Sequence, residues 1–198
     1  DSYIGTNPIT VSIAPKLLTV EKDVTPRRGY DGTTAADVTI SRVVTGISNE
    51  TVTASLTSAV YRSADVGEGN SIIITYNLSV EAGTLLGNYT LTQSGEPIAN
   101  GVGVTETVTE VDGTSVGIDP AEINVAIIDQ QKVYDGNAPA IADAVQNAHW
   151  SVSKGQIFGN DTLGIALTVE GSSANTGTYA ITGVADNKNY DVAFTASW

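Results

Sequence analysis

The sequence predicts a mainly β protein made of two small tandem antiparallel β-sheet modules with at most one short helix. Composition, periodicity and turn placement carry that prediction. Thr, Val, Ile, Ser and Gly dominate the 198 residues while strong helix formers such as Lys and Gln are scarce and Met is missing. β-branched side chains fit a pleated, half-buried surface, so such usage favours strands. Period-two runs recur along the chain, and Gly-containing breakers such as Asp31-Gly32, Glu68-Gly69-Asn70, Asp112-Gly113, Asp135-Gly136 and Gly171-Ser172-Ser173 separate them. Alternation places one set of side chains in a core and the other in water, which describes a sheet with one wet face.

In chain order, the runs are Asp37 to Val44 (DVTISRVV), Ser71 to Val80 (SIIITYNLSV), Val102 to Val111 (VGVTETVTEV) and Glu122 to Ile128 (EINVAII). Leu163 to Val169 (LGIALTV), Thr178 to Val184 (TYAITGV) and Asn189 to Ala196 (NYDVAFTA) follow. Pro139 to Gln146 (PAIADAVQ) is the one stretch that reads as a short helix. Asp-Gly pairs mark tight turns, because Gly accepts positive φ and Asp bonds the nearby backbone.

Three landmarks occur twice in the same order. Ile13-Ala14-Pro15 returns as Ile118-Asp119-Pro120, an offset of 105 (118 − 13), and Tyr30-Asp31-Gly32 returns as Tyr134-Asp135-Gly136, an offset of 104 (134 − 30). Asn88-Tyr89 returns as Asn189-Tyr190, an offset of 101 (190 − 89). Near-constant offsets at this period indicate two related modules. Residues 13–116 form the first and 117–198 the second, with 1–12 as a terminal strand or the end of a preceding module. The start at Asp1 without Met suggests a piece of something longer.

These landmarks resemble the tandem YDG and MBG-type repeats of large bacterial surface adhesins. The first module, with Tyr30-Asp31-Gly32-Thr33-Thr34-Ala35 and Gly87-Asn88-Tyr89-Thr90-Leu91, is similar to the YDG version. The second, with Lys132-Val133-Tyr134-Asp135-Gly136, Asn175-Thr176-Gly177-Thr178-Tyr179 and Asn187-Lys188-Asn189-Tyr190, is similar to the MBG version. Two stretches depart from the pattern, Gly101 to Ser115 and Ala142 to Trp150. The resemblance implies small β-grasp-like domains strung head to tail in an exported stalk. It also implies neighbouring repeat modules in the same chain as partners, and a location outside the cell.

Composition narrows the function classes. With a formal charge of −13 and nine basic residues, of which only Arg27 and Arg28 are adjacent, the chain lacks the clustered cations that phosphate needs, so nucleic acid is not an expected partner. The absence of Cys removes disulfides, thiolate metal sites and cysteine catalysis. No apolar run is long enough to cross a membrane as a helix. His149 is the only histidine, and no Gly-x-Ser-x-Gly elbow or phosphate-binding glycine motif accompanies it, so no enzymatic activity is expected.

Some residues remain as candidate sites. Tyr30 and Tyr134 could stack on a sugar, with Asp31 and Asp135 accepting hydroxyl protons, although a turn requirement explains a recurring Tyr-Asp-Gly better. Asn88-Tyr89 and Asn189-Tyr190 read as turn-to-strand junctions with the Tyr in the core. Trp150, and with it Trp198, is the further candidate for stacking on a ligand. Glu21, Asp23, Asp119 and Glu122 lie near the module ends, where oxygen ligands could converge on calcium. Lys16 and Lys132 sit in strand-like segments, where an inward-pointing Lys could form an isopeptide crosslink; a surface Lys is the simpler reading. The expected function is therefore non-enzymatic, a stalk or ligand-presenting region of an exported adhesin in cell adhesion. The alternative is a glycan-binding module of an adhesin or of a secreted carbohydrate-active protein, and a host or environmental glycan or protein would be the partner.

Overall fold

The structure is a computed structural model and describes residues 10–93, 95–101, 103–141, 149–171 and 173–196. Its strands are β1 (Lys16–Leu17), β2 (Thr19–Val24), β3 (Arg27–Gly29), β4 (Val38–Val44), β5 (Val52–Tyr61), β6 (Ile72–Val80), β7 (Tyr89–Thr90) and β8 (Gly103–Val108). They continue as β9 (Glu110–Val111), β10 (Thr114–Ser115), β11 (Gly117–Asp119), β12 (Ala121–Ile127), β13 (Trp150–Lys154), β14 (Ala166–Val169), β15 (Ile181–Val184) and β16 (Tyr190–Ala196). A 3-10 turn over Leu86–Asn88 is the helical element among the described residues. The protein is thus mainly β, as composition and alternation predict. Residues 142–146 of the expected short helix, and residues 1–9, lie outside the described residues.

The chain divides into two compact units that interleave in sequence. One comprises Asp1–Val24, Asp37–Ala59 and Ile73–Thr107, and the other Thr25–Ala36, Val60–Ile72 and Val108–Trp198. The expected modules were contiguous, whereas here residues 25–36 and 60–72 group with the C-terminal segment.

In the first unit, β2 pairs antiparallel with β4 from Thr19↔Val44 to Val24↔Val38, with a register shift between Glu21 and Lys22. β1 runs parallel to β7, Lys16 opposite Tyr89, and the remaining sheet has the order β5-β6-β8. Alternation along β6 translates directly into burial: Ile74 and Tyr76 are fully enclosed and Leu78 nearly so, while Asn77 and Ser79 face out. Leu18, Val38, Val52, Leu86 and Tyr89 join this core. Lys22 keeps only 14% of its side chain exposed, yet its charge is satisfied by Glu106 at 2.8 Å and by the face of the Tyr76 ring. Tyr76 donates to the same carboxylate. Part of the unplaced Gly101 to Ser115 stretch is therefore β8, a strand added to the sheet.

In the second unit, β12 is the central strand of the order β13-β12-β16. It runs parallel to β16 from Ala121↔Tyr190 to Ile127↔Ala196 and antiparallel to β13. Ile123, Val125 and Ile127, at every second position, supply the buried face. β11 and β3 pair in parallel, Gly117↔Arg27 to Asp119↔Gly29, and β14 pairs antiparallel with β15. Residues 110–115 of the Gly101 to Ser115 stretch are the hairpin β9–β10, whose turn residues Asp112 and Gly113 both take positive φ, 48° and 78°. Two successive positive φ values match the right-handed twist of a hairpin, which is why Asp-Gly stands there.

Antiparallel pairing was the expectation throughout, and three of the pairings are parallel. Alternation reports one buried face and is silent on strand direction; here each opening strand lies beside the Asn-Tyr strand that closes the same stretch of chain.

Burial of this depth sets an expected cost. Ile74→Ala should lower the stability measured by urea denaturation by about 2–5 kcal/mol, because Ile74 is fully enclosed. Val184→Ala, at a position 66% exposed, should stay within about 0.5 kcal/mol.

Candidate functional site

Tyr30 ends the β3 segment and turns at Asp31-Gly32. The Asp31 carboxylate accepts from the Thr33 backbone N–H and hydroxyl, both at 2.8 Å, and Gly32 adopts φ 77°. Arg28 stands on Asp31 at 2.5 Å and lies over the Tyr61 ring. The second Tyr-Asp-Gly makes the same local turn: Asp135 accepts from the Asn137 N–H at 2.9 Å, Gly136 takes φ 81°, and Lys132 pairs with Asp135 at 3.0 Å. In both turns the cation comes three residues before the Asp. Both turns thus share the sequence pattern basic-x-Tyr-Asp-Gly.

The two tyrosines differ in their surroundings. Tyr30 is 7% exposed and meets Phe158 and Tyr190 edge-on, at centroid distances of 5.8 and 5.4 Å. Its hydroxyl donates to Asp161 at 2.6 Å, and the Tyr190 hydroxyl donates to the same carboxylate oxygen at 2.9 Å. The Phe158 N–H in turn donates to the Tyr190 hydroxyl. The Asp161 hydrogen bond, burial and the carboxylate charge together push the Tyr30 phenol up to about 12. Burial chiefly, with the same carboxylate assisting, raises Tyr190 as well. Tyr134, by contrast, is 66% exposed.

Asn189 extends the cluster. Its side-chain amide donates to Asp65 at 2.8 Å while its carbonyl oxygen accepts from the Val66 N–H at 2.9 Å, so a buried Asn is satisfied from both ends. Asn88, at the end of the 3-10 turn, precedes Tyr89, which is buried and donates to Glu50. Both Asn-Tyr pairs therefore sit at turn-to-strand junctions with the ring inside.

Trp150 is half-buried at the start of β13 opposite Ile127. It borders a hollow of about 400 Å³ shared with Ile157, Asp161, Thr162, Leu163, Gly164 and Ile165. Its indole Nε1 and the Nδ1 of His149 are buried without a hydrogen-bond partner, and the His149 carbonyl accepts from the Ile128 N–H. Asp161 was not among the residues singled out from the sequence, since one carboxylate among 22 acidic side chains carries no local signal.

The calcium candidates are placed as follows. Glu21 is bound by Arg42 at 2.8 Å and held below the usual carboxylate range by that hydrogen bond. Asp23 accepts from Ser41, and Asp119 is engaged by Arg27. Glu122 is exposed on β12. Among the described residues, no group of three or more His, Cys, Asp or Glu side chains is arranged to hold a metal ion. Lys16 and Lys132 are exposed at the chain surface, donating to backbone carbonyls. Trp198 lies outside the described residues.

Comparison with known families finds a YDG domain at residues 14–96. That segment contains Tyr30-Asp31-Gly32 and Asn88-Tyr89. No curated protein and no solved structure matches the chain.

The Tyr30 environment predicts a pH signature. A phenol raised from 10.0 to about 12 in the folded state contributes stability that is fully present below pH 10 and is lost as pH rises through about 12. Carbon-13 NMR titration of tyrosine should place the Tyr30 midpoint near 12, and Asp161→Asn should bring it down. A Tyr30 midpoint at 10 in both proteins would refute the assignment.

Proposed function

We propose that this chain is a pair of tandem β modules from the repeat region of an exported bacterial surface adhesin, working outside the cell as stalk or ligand-presenting units, without enzymatic activity. The YDG domain at residues 14–96 supports the reading most directly. Two structural parallels add to it. Each half of the chain opens with a strand that runs parallel to its own Asn-Tyr strand, β1 with β7 and β12 with β16. Each also carries the same Asp-capped, Gly-terminated turn. Successive copies of one supersecondary unit are how repeat proteins gain length.

The fate of the aromatics favours spacing over sugar recognition. Tyr30, Tyr61, Tyr76, Tyr89 and Tyr190 are buried, and the phenols of Tyr30, Tyr76, Tyr89 and Tyr190 are hydrogen-bonded to carboxylates. A stacking platform would present such rings side by side to solvent. The absence of cysteine suits an exported protein whose stability comes from β packing. The glycan-binding reading draws on the hollow beside Trp150.

A glycan array separates the two. The stalk reading expects the chain to bind no defined sugar. Binding of one sugar by the wild type that Trp150→Ala abolishes would overturn it in favour of a glycan-binding module.

A further inference from the structure

Within the second unit, the segment preceding the first Tyr-Asp-Gly is covered by the start of the next stretch of chain. β3 pairs in parallel with β11, and the Tyr30 N–H donates to the Asp119 carbonyl at 2.8 Å. Val116 and Ile118, on either side of Gly117, are 3% and 2% exposed. Ile118 lies so close to Gly69 that a Cβ there would meet its Cδ1 at 2.9 Å. The joint thus combines main-chain pairing, an apolar strand and the seat for Tyr30.

Both halves of this joint occur a second time, and each is bare. The counterparts of Val116 and Ile118, at the offset of 105, are Val11 and Ile13, which are 88% and 95% exposed. Residues 10–15 belong to no strand. The counterpart of β3, at the offset of 104, is Gln131-Lys132-Val133, also in no strand, with Val133 89% and Tyr134 66% exposed. The local turn at Tyr134 nevertheless already has the geometry of the one at Tyr30, down to the Asp135 cap and the cation on it. A segment that lies in no strand and holds two large apolar side chains in water is a template for strand addition. One end displays the knob and the other the socket of the same contact, which is the condition for head-to-tail propagation.

We infer that Gln131 to Tyr134 is a docking edge for the opening strand of a further module of this sequence pattern following in the same chain. That module's Gly117-Ile118-Asp119 equivalent pairs with residues 131–133. Its Phe158, Asp161 and Tyr190 equivalents enclose Tyr134, whose hydroxyl donates to the carboxylate as Tyr30 does. By the same logic, Val11 to Ala14 is the matching strand offered to a preceding module. The inference rests on the tandem-module reading and adds the atoms of the joint.

The test uses the full chain extended by a second copy of residues 98–198 after Trp198, which keeps the spacing from Tyr190 to the next opening strand equal to that from Tyr89 to Gly117. Amide hydrogen exchange at Tyr134 and nitration of its ring by tetranitromethane are followed in the chain with and without the extension. Both should slow by about tenfold or more on extension, as they must if the seat is occupied nine-tenths of the time. Ile118→Asp in the appended copy should restore the fast rates. Unchanged rates at Tyr134, an appended copy that stays unfolded, or protection that survives Ile118→Asp would each overturn the docking edge. Sugar binding lost with Trp150→Ala alongside a protected Tyr134 would instead remove the stalk-only reading and leave the joint standing.

Discussion

The Asp161 carboxylate is the point on which the second unit depends. It accepts hydrogen bonds from the phenols of Tyr30 and Tyr190, and hydrogen bonds to a charged acceptor are roughly twice as strong as neutral ones. Through Tyr190 it fixes the start of β16, and through Tyr30 it fixes the turn that ends β3. The neighbouring Asn189 adds residues 65 and 66 by its two side-chain bonds. Three segments far apart in sequence are thereby held by one small polar cluster closed over by Phe158. Both phenol protons are committed to this carboxylate, and the Tyr30 ring is buried against Phe158 and Tyr190.

Charge plays a lesser part in holding the fold. Most of the nine basic residues are paired: Arg27 with Asp119, Arg28 with Asp31, Arg42 with Glu21, Lys132 with Asp135, Lys188 with Glu68 and Lys22 with Glu106. Exposed pairs of this kind are screened by solvent and contribute little. Lys22 and Arg28 are the exceptions in setting, because each is largely buried between a carboxylate and an aromatic ring, Lys22 with Glu106 and Tyr76, Arg28 with Asp31 and Tyr61. Of the acidic residues outside these pairs, Glu50, Asp65 and Asp161 are half-buried and hydrogen-bond Tyr89, Asn189 and the Tyr30 and Tyr190 phenols. Cohesion comes from the alternating apolar positions of β6 and β12, whose side chains close the two cores.

Local features were legible in the sequence and long-range ones were not. Alternation at Ser71 to Val80 and Glu122 to Ile128 located β6 and β12, because burial of every second residue is written in hydrophobicity. The Asp-Gly pairs marked turns at residues 31–32, 112–113 and 135–136, since only a few residue types tolerate positive φ. β5 escaped notice: its buried ends flank a Thr/Ser-rich middle with exposed side chains, so its pattern is weak. Strand direction also escaped, as did the grouping of residues 25–36 and 60–72 with the C-terminal half, because both are set by contacts between residues far apart in sequence, from 69 positions (190 − 121) in the β12–β16 pairing to 131 between Tyr30 and Asp161. The differing exposure of Tyr30 and Tyr134 has the same origin. Their local sequences match, and what distinguishes them is whether a distant Asp161 closes over the ring.

The most direct measurement is a double-mutant cycle between Tyr30→Phe and Asp161→Ala, with stability read by urea denaturation. If this hydrogen bond anchors the Tyr-Asp-Gly turn, the coupling energy should be about 1–2 kcal/mol, as for a charge-assisted hydrogen bond in a partly buried setting. A coupling indistinguishable from zero would contradict the account, since Tyr30 would then owe its position to something other than the carboxylate.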